Sequence, residues 1–81
     1  MDFSDLKEKL NRALKEKEMF IDSINFSKKG KYHFLEITVD KLGGIDLDGI
    51  VDATNIINPI VDKENFTNSE YILDVSSKER G

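Results

Sequence analysis

The sequence predicts a small α+β domain, a two-layer α/β sandwich in which two helices cover one face of a three-stranded sheet. Two stretches have apolar residues at helical spacing, and three others have the alternating or β-rich pattern of strands. In chain order these elements read α-β-β-α-β. The chain has 81 residues, enough for one small core. Elements with one apolar side bury those sides against each other, so we expect both helices on the same face of the sheet.

The first helix is predicted over about residues 4–17. Its apolar residues recur every three or four positions, and the other side of the helix is mostly lysine and glutamate, which indicates a solvated face. The apolar stripe consists of Phe3, Leu6, Leu10 and Leu14.

A β-hairpin follows, and each of its strands has one apolar face. These faces are Phe20, Ile24 and Phe26 in the first strand, and Leu35, Ile37 and Val39 in the second. Residues 28–31 (KKGK) form the turn, in which Gly30 can take a positive φ. His33 lies at the start of the second apolar face, so we expect a packed or rim position for it rather than a catalytic one.

The second helix is predicted to begin at Leu47, with Asp46 as its N-cap. Gly49 in the first turn is mildly unfavourable. Pro59 predicts that the helix ends near Asn58 or kinks there, although the apolar residues that follow suggest a short continuation. The predicted buried stripe is Leu47, Ile50, Val51, Thr54, Ile57 and Val61.

A polar loop over residues 62–70 and a short strand complete the predicted elements. In the strand, Tyr71, Leu73 and Val75 alternate with Ile72 and Asp74.

Composition narrows the function classes. The net charge is −4, whereas a nucleic-acid-binding domain is usually basic, so a basic surface such as that of a basic protein is the favoured partner. The chain has no cysteine and one histidine, which argues against a zinc site. No apolar run is long enough to span a membrane, and the N-terminus does not resemble a signal peptide. We therefore expect a cytoplasmic protein with no membrane partner.

The Gly43-Gly44 pair precedes the second helix, a position where a chain can bind phosphate or a metal ion. Neither GxxxxGK[ST] nor GxGxxG occurs, and the nearby aspartates would repel a phosphate. An EF-hand with Gly49 at its sixth position would place the first ligand on Gly44, which has no side chain. A KH-type RNA clamp needs a GXXG loop, which the sequence lacks. The glycines are thus predicted to turn the chain from a strand into a capped helix.

No residues suggest catalysis, since there is no Ser-His-Asp set in suggestive surroundings and no carboxylate pair set apart in an apolar pocket. We expect no enzymatic activity, cofactor, metal or small-molecule substrate. The one compact basic cluster is Lys28, Lys29 and Lys31 at the hairpin turn. It is either a solvated turn or a contact for RNA, and both interpretations stay open.

Two segments together resemble the N-terminal domain of the RimP family of ribosome maturation factors. They are residues 39–48 (VDKLGGIDLD) and residues 71–77 (YILDVSS), and the hairpin before them is also similar, so the resemblance covers about residues 19–77. It implies a cytoplasmic bacterial factor that assists late assembly of the small ribosomal subunit by binding a basic ribosomal protein, rRNA or both. The partner-binding residues that we expect from it are Asp40, Lys41, Gly43, Gly44, Ser76 and Ser77.

The sequence also departs from the family pattern. The family continues from SSPG into a second, SH3-like domain, whereas this chain ends SSKERG. We expect residues 1–81 to be a single RimP-N-like domain without that second domain, either excised from a longer protein or naturally reduced. The glycine usual between the first helix and first strand is absent at Glu18-Met19.

Overall fold

A computed structural model describes residues 3–64 and 70–78 of the chain. Its element order is the predicted α-β-β-α-β. The elements are helix α1 (Ser4–Leu14) with a short 3₁₀ helix (Lys15–Lys17), strand β1 (Met19–Lys29), strand β2 (Tyr32–Lys41), helix α2 (Leu47–Glu64) and strand β3 (Ile72–Ser77). The predicted α+β class is confirmed.

The three strands form one mixed sheet in the order β1-β2-β3. β1 and β2 are the antiparallel hairpin, and β2 pairs with β3 in parallel. A parallel pair needs a connection that crosses from one end of the sheet to the other, and α2 makes that crossing. Strand β2 is therefore central, with a neighbour on each side.

Both helices pack on the same face of the sheet, as predicted. One hydrophobic cluster contains buried residues from α1, α2, β1 and β2. The two helices also meet directly, because Lys9 of α1 forms an ion pair with Glu64 of α2. The buried residues that confirm predicted positions are Leu6, Leu10 and Leu14 in α1, Leu35, Ile37 and Val39 in β2, and Ile57 and Val61 in α2.

The predicted apolar face of β1 is wrong at Phe20. This side chain is 40% exposed, whereas its neighbours Met19 and Ile21 are buried in the core. Ile24 and Phe26 do pack against the core, as predicted. The core-facing positions of β1 thus change from odd to even numbers partway along the strand.

A β-bulge causes this change of phase. Ile21 pairs with Val39 and Ser23 pairs with Thr38, so Asp22 is an extra residue opposite no single partner. A strand alternates its faces every residue, and one inserted residue therefore moves all later side chains to the opposite face. The bulge lets Ile21 and the residues after Ser23 contribute to one core.

The predicted buried stripe of α2 is wrong at two positions. Leu47 is 62% exposed and Val51 is 56% exposed, whereas Ala53 is fully buried. Ile50 and Thr54 are only partly buried. The helix is rotated about its axis so that Ala53 and Ile57 face the sheet.

Helix α2 begins as predicted, with Asp46 as its cap. The Asp46 Oδ1 atom accepts a hydrogen bond from the Gly49 N–H at 2.8 Å. A Cβ atom on Gly49 would lie only 2.8 Å from the Ile45 Cγ1 atom. Ile45 is 8% exposed and belongs to the core. The glycine that looked unfavourable from the sequence therefore makes room for Ile45.

Helix α2 does not end near Asn58. It continues through Pro59 to Glu64, and the continuation suggested by the apolar pair is confirmed, with Val61 buried. Proline leaves the carbonyl four residues earlier without its helical donor. Asn55 and Pro59 are both exposed, so water can bond to that carbonyl. Residues 62–64, which were predicted to begin the polar loop, belong to α2, and residues 65–69 lie outside the described part of the chain.

The final strand is confirmed. Tyr71, Leu73 and Val75 pack against the core, and Ile72 is 46% exposed on the other face.

Glu18 joins the 3₁₀ helix to β1 in a left-handed conformation, with φ of 61°. This conformation costs a side chain about 1–2 kcal/mol, and glycine takes it freely. Glu18 lies where the sequence lacks the glycine that is usual between the first helix and the first strand in the family it resembles.

We expect Glu18→Gly to increase the free energy of unfolding by about 1 kcal/mol, after the larger chain entropy of glycine is subtracted. Urea unfolding followed by circular dichroism measures the change. Glu18→Ala is the matched control, because it removes the same carboxylate and keeps the strained backbone. Equal stability of the two variants would contradict the prediction.

Gly49→Ala tests the close approach of Ile45. Replacing an exposed helical glycine by alanine normally raises the free energy of unfolding by about 1 kcal/mol. Here we expect the free energy of unfolding to fall by about 1 kcal/mol, because the new methyl group overlaps the Ile45 side chain. Asn55→Ala, at an exposed site of the same helix, should be neutral or slightly stabilising. A Gly49→Ala variant more stable than the parent in urea unfolding would show that Ile45 is free to move away.

Candidate functional site

The residues singled out in the two sequence motifs meet at one edge of the sheet. Ser76 pairs with Thr38 and Ser77 pairs with Val39, immediately before the end of β2. Parallel strands have their carboxyl ends at the same edge, so the end of β3 lies beside the turn that follows β2. We call this site the carboxyl edge. It comprises Asp40, Lys41, Gly43, Gly44, Ser76 and Ser77.

The turn at the carboxyl edge has a backbone that requires glycine. The Gly44 N–H donates to the Lys41 carbonyl at 2.9 Å, which closes a four-residue turn. Gly43 has a φ of 86° and Gly44 a φ of 99°, while Leu42 is not in the positive-φ region. This is the pattern of a type II turn, with glycine at the third position. No atom lies within 4 Å of where a Gly43 Cβ would be, so the reason for glycine there is conformation and not space.

The polar side chains of the carboxyl edge differ in how far they reach solvent. Asp40 is partly buried, and its Oδ1 atom accepts from the Lys41 N–H at 2.8 Å, which leaves its other oxygen for a partner. Ser76 is exposed. Ser77 is 1% exposed, and its hydroxyl has no hydrogen-bond partner in the described structure. Ser76 is therefore the serine that the surface presents.

A shallow cavity of about 320 Å³ lies between the turn and the start of α2. It is lined by Lys41, Gly43, Gly44, Ile45 and Asp46. A helix N-terminus attracts anions, but the Asp46 carboxylate already occupies that position. The cavity is consequently unsuited to phosphate.

Metal binding has no visible basis in the residues that the structure describes. Within residues 3–64 and 70–78, no three His, Asp or Glu side chains come close enough to hold a metal ion. The helices in those ranges include none long and apolar enough to cross a membrane.

The basic hairpin turn lies at the opposite end of the sheet from the carboxyl edge. Strand β2 has ten residues, so the two ends are about 30 Å apart. The turn residue Gly30 has a φ of 63°, as expected from the sequence. Lys28 and Lys31 are exposed.

Lys29 is already engaged by its own sheet. Its Nζ atom is 3.5 Å from the Glu36 Oε2 atom and 5.6 Å from the centre of the Phe34 ring. A hydrogen bond from the Ser27 hydroxyl lowers the pKa of Glu36, and the charge of Lys29 lowers that pKa further. Lys29 is thus less free to bind phosphate than Lys28 and Lys31.

His33 is a packed side chain, as predicted. Its ring stacks on Phe26 with 5.4 Å between ring centres and an angle of 6° between planes. Phe26 also meets Tyr71 edge to face, with ring centres 6.4 Å apart. Burial raises the pKa of Tyr71, and the negative charge of Asp62 adds to the effect. These rings close the hairpin end of the core.

Sequence reasoning missed one surface feature beside the carboxyl edge. Leu47 and Val51 were expected in the core, yet they are exposed near the start of α2, and Leu42 in the turn is 87% exposed. The sequence did contain a signal for this exposure. Ala53, Ile57 and Val61 recur every four residues and define a stripe on a side of the helix that excludes Leu47 and Val51.

Comparison with known protein families gives a match to most of the chain. Residues 9–78 match the RimP N-terminal domain, so the match spans nearly all of the described structure, including both motifs of the carboxyl edge. The chain belongs to the RimP family of ribosome maturation factors.

Proposed function

We propose that this protein acts in maturation of the small ribosomal subunit by binding that subunit, without catalysing a reaction. The observation that carries the proposal is the match of residues 9–78 to the RimP N-terminal domain. A role in ribosome assembly implies that the protein works in the cytoplasm, where it meets its partner. The partner is a basic ribosomal protein, rRNA, or both.

The carboxyl edge is the proposed contact surface. It joins two segments that are distant in sequence but adjacent across the β2–β3 pair. Lys41 and Ser76 provide its polar groups, while Asp40, Gly43 and Gly44 fix the shape of the turn. Ser77 supports the end of β3 from inside the fold. Loops and turns positioned by a rigid sheet are common binding surfaces.

Charge also supports a basic partner. The protein carries a net charge of −4, and a basic ribosomal protein would be attracted to it over several ångströms. Added salt screens that attraction, with a Debye length of about 10 Å at 0.1 M.

The alternative is an RNA-binding role for the hairpin turn through Lys28, Lys29 and Lys31. Lys28 and Lys31 are exposed, which favours it, and the pairing of Lys29 with Glu36 counts against it. It requires affinity for naked RNA that falls steeply with salt. Unchanged RNA binding after all three lysines are replaced by alanine would exclude it.

Labelled protein should sediment with purified small subunits at low salt and should be released as salt rises, because the attraction is electrostatic. Large subunits at the same concentration are the control for non-specific adhesion. Protein that stays in the supernatant with small subunits at every salt concentration would refute subunit binding.

The contact surface can be located with two paired variants. Asp40→Lys with Ser76→Arg should weaken subunit binding about tenfold, because both changes add positive charge against a basic partner, whereas Lys28→Ala with Lys31→Ala should leave it within about twofold. All four positions lie at the surface or rim of the fold, and circular dichroism checks that each variant is folded. The reverse ranking would assign the contact to the hairpin turn.

A further inference from the structure

Two apolar side chains of α2 face solvent side by side. Leu47 and Val51 are four residues apart, so they occupy the same side of the helix with about 5–6 Å between their Cβ atoms. They are 62% and 56% exposed. The core is filled by other residues of the helix, chiefly Ala53, Ile57 and Val61. More than half of each of these two side chains is therefore available to a partner.

A third apolar side chain lies in the turn that leads into the helix. Leu42 is 87% exposed, the largest value among the large apolar side chains of residues 3–64 and 70–78 that face solvent. It follows β2 directly and stands in the turn held by Gly43 and Gly44. The turn that contains Leu42 and the Asp46 cap before Leu47 follow one another in the chain, and all three apolar side chains remain exposed.

The charge of the segment that carries these groups is negative, although Lys41 precedes Leu42 at its start. Residues 42–62 include four aspartates, at positions 46, 48, 52 and 62, and no lysine or arginine. Asp48 and Asp52 are exposed and follow Leu47 and Val51 directly in the helix. Within the described part of the chain, neither forms an ion pair. We call Leu42, Leu47, Val51, Asp48 and Asp52 the α2 patch.

We propose that the α2 patch docks a lysine- or arginine-rich protein segment that carries an apolar anchor residue. The anchor would cover Leu47 and Val51, while the basic side chains pair with Asp48 and Asp52. The inference rests on the proposed function, because small-subunit binding brings such segments to the protein. It goes further by naming the surface and by choosing protein over RNA.

Charge complementarity selects this occupant among the possible ones. A nucleic-acid backbone or an anionic lipid surface would place its negative charge against the aspartates. A second copy in a symmetric dimer would bring the same patch to face itself, with like charges opposed. A basic protein segment satisfies both the apolar and the charged groups of the patch.

Surface variants test the contribution of the patch. Leu47→Ser with Val51→Ser should weaken binding to purified small subunits about tenfold, because the apolar anchor loses its contact. Tyr32→Ser is the matched control, since Tyr32 is 61% exposed at the opposite end of the sheet. Unfolding in urea verifies that both variants remain folded.

A photo-reactive benzophenone amino acid at position 51 identifies what covers the patch in the bound state. With purified small subunits we expect cross-links to a basic ribosomal protein, abolished when Asp48→Lys and Asp52→Lys are added. Cross-links to rRNA would overturn the proposal. Sedimentation velocity on the free protein should show a monomer, and a dimer dispersed by Leu47→Ser would equally overturn it by identifying a second copy as the occupant.

Sedimentation of the parent protein and of the Leu47→Ser, Val51→Ser variant with small subunits distinguishes the docking proposal from the proposed function. If the parent protein sediments with small subunits and the Leu47→Ser, Val51→Ser variant does so equally well, the docking proposal fails and the proposed function stands. If the parent protein itself does not sediment, the proposed function fails, and the docking proposal fails with it.

Discussion

Strand β2 pairs antiparallel with β1 on one side and parallel with β3 on the other. The parallel pairing determines the layout of the protein, because it requires α2 to cross the sheet. The crossing covers Leu35, Ile37 and Val39, which are fully buried. It also brings the ends of β2 and β3 to one edge, beside the start of α2. The core and the candidate binding surface are thus consequences of the same pairing.

The elements that the sequence predicted well are those set by local chemistry. The periodicity of α1, the alternating face of β2 and the cap at Asp46 depend on neighbouring residues, and each is confirmed. The wrong predictions concern positions whose burial depends on residues distant in the sequence. The bulge at Asp22 exists because β1 must match β2 while keeping Ile21 in the core. The exposure of Leu47 follows from how α2 rotates to seat Ala53.

The candidate site was predictable only in part for the same reason. Sequence alone established that Gly43 and Gly44 form a turn, and their positive φ values agree. It could not bring that turn next to Ser76, because strand order and direction are not local properties. The family resemblance paired the two motifs, and the register of β2 with β3 supplies the physical reason. The apolar surface of Leu47 and Val51 needed the three-dimensional fold.

The two ends of the sheet carry different candidate surfaces. One end has the carboxyl edge and the aspartates at the start of α2, and the other has the exposed lysines of the hairpin turn. The two ends lie about 30 Å apart, well beyond the Debye length of about 8 Å at physiological salt, so charges at one end have little electrostatic effect at the other. The proposed contact of the carboxyl edge with a basic protein is therefore independent of the hairpin turn.

Hydrogen–deuterium exchange of the protein, free and bound to purified small subunits, shows whether the subunit covers the carboxyl edge and the start of α2. We expect binding to slow exchange of backbone amides in residues 40–52 and at Ser76, because the parallel β2–β3 pair brings the end of β3 beside the turn after β2. Residues 28–31 should exchange at the same rate in both states. Protection confined to residues 28–31, with none at the carboxyl edge, would show that the protein binds the subunit through the hairpin turn instead.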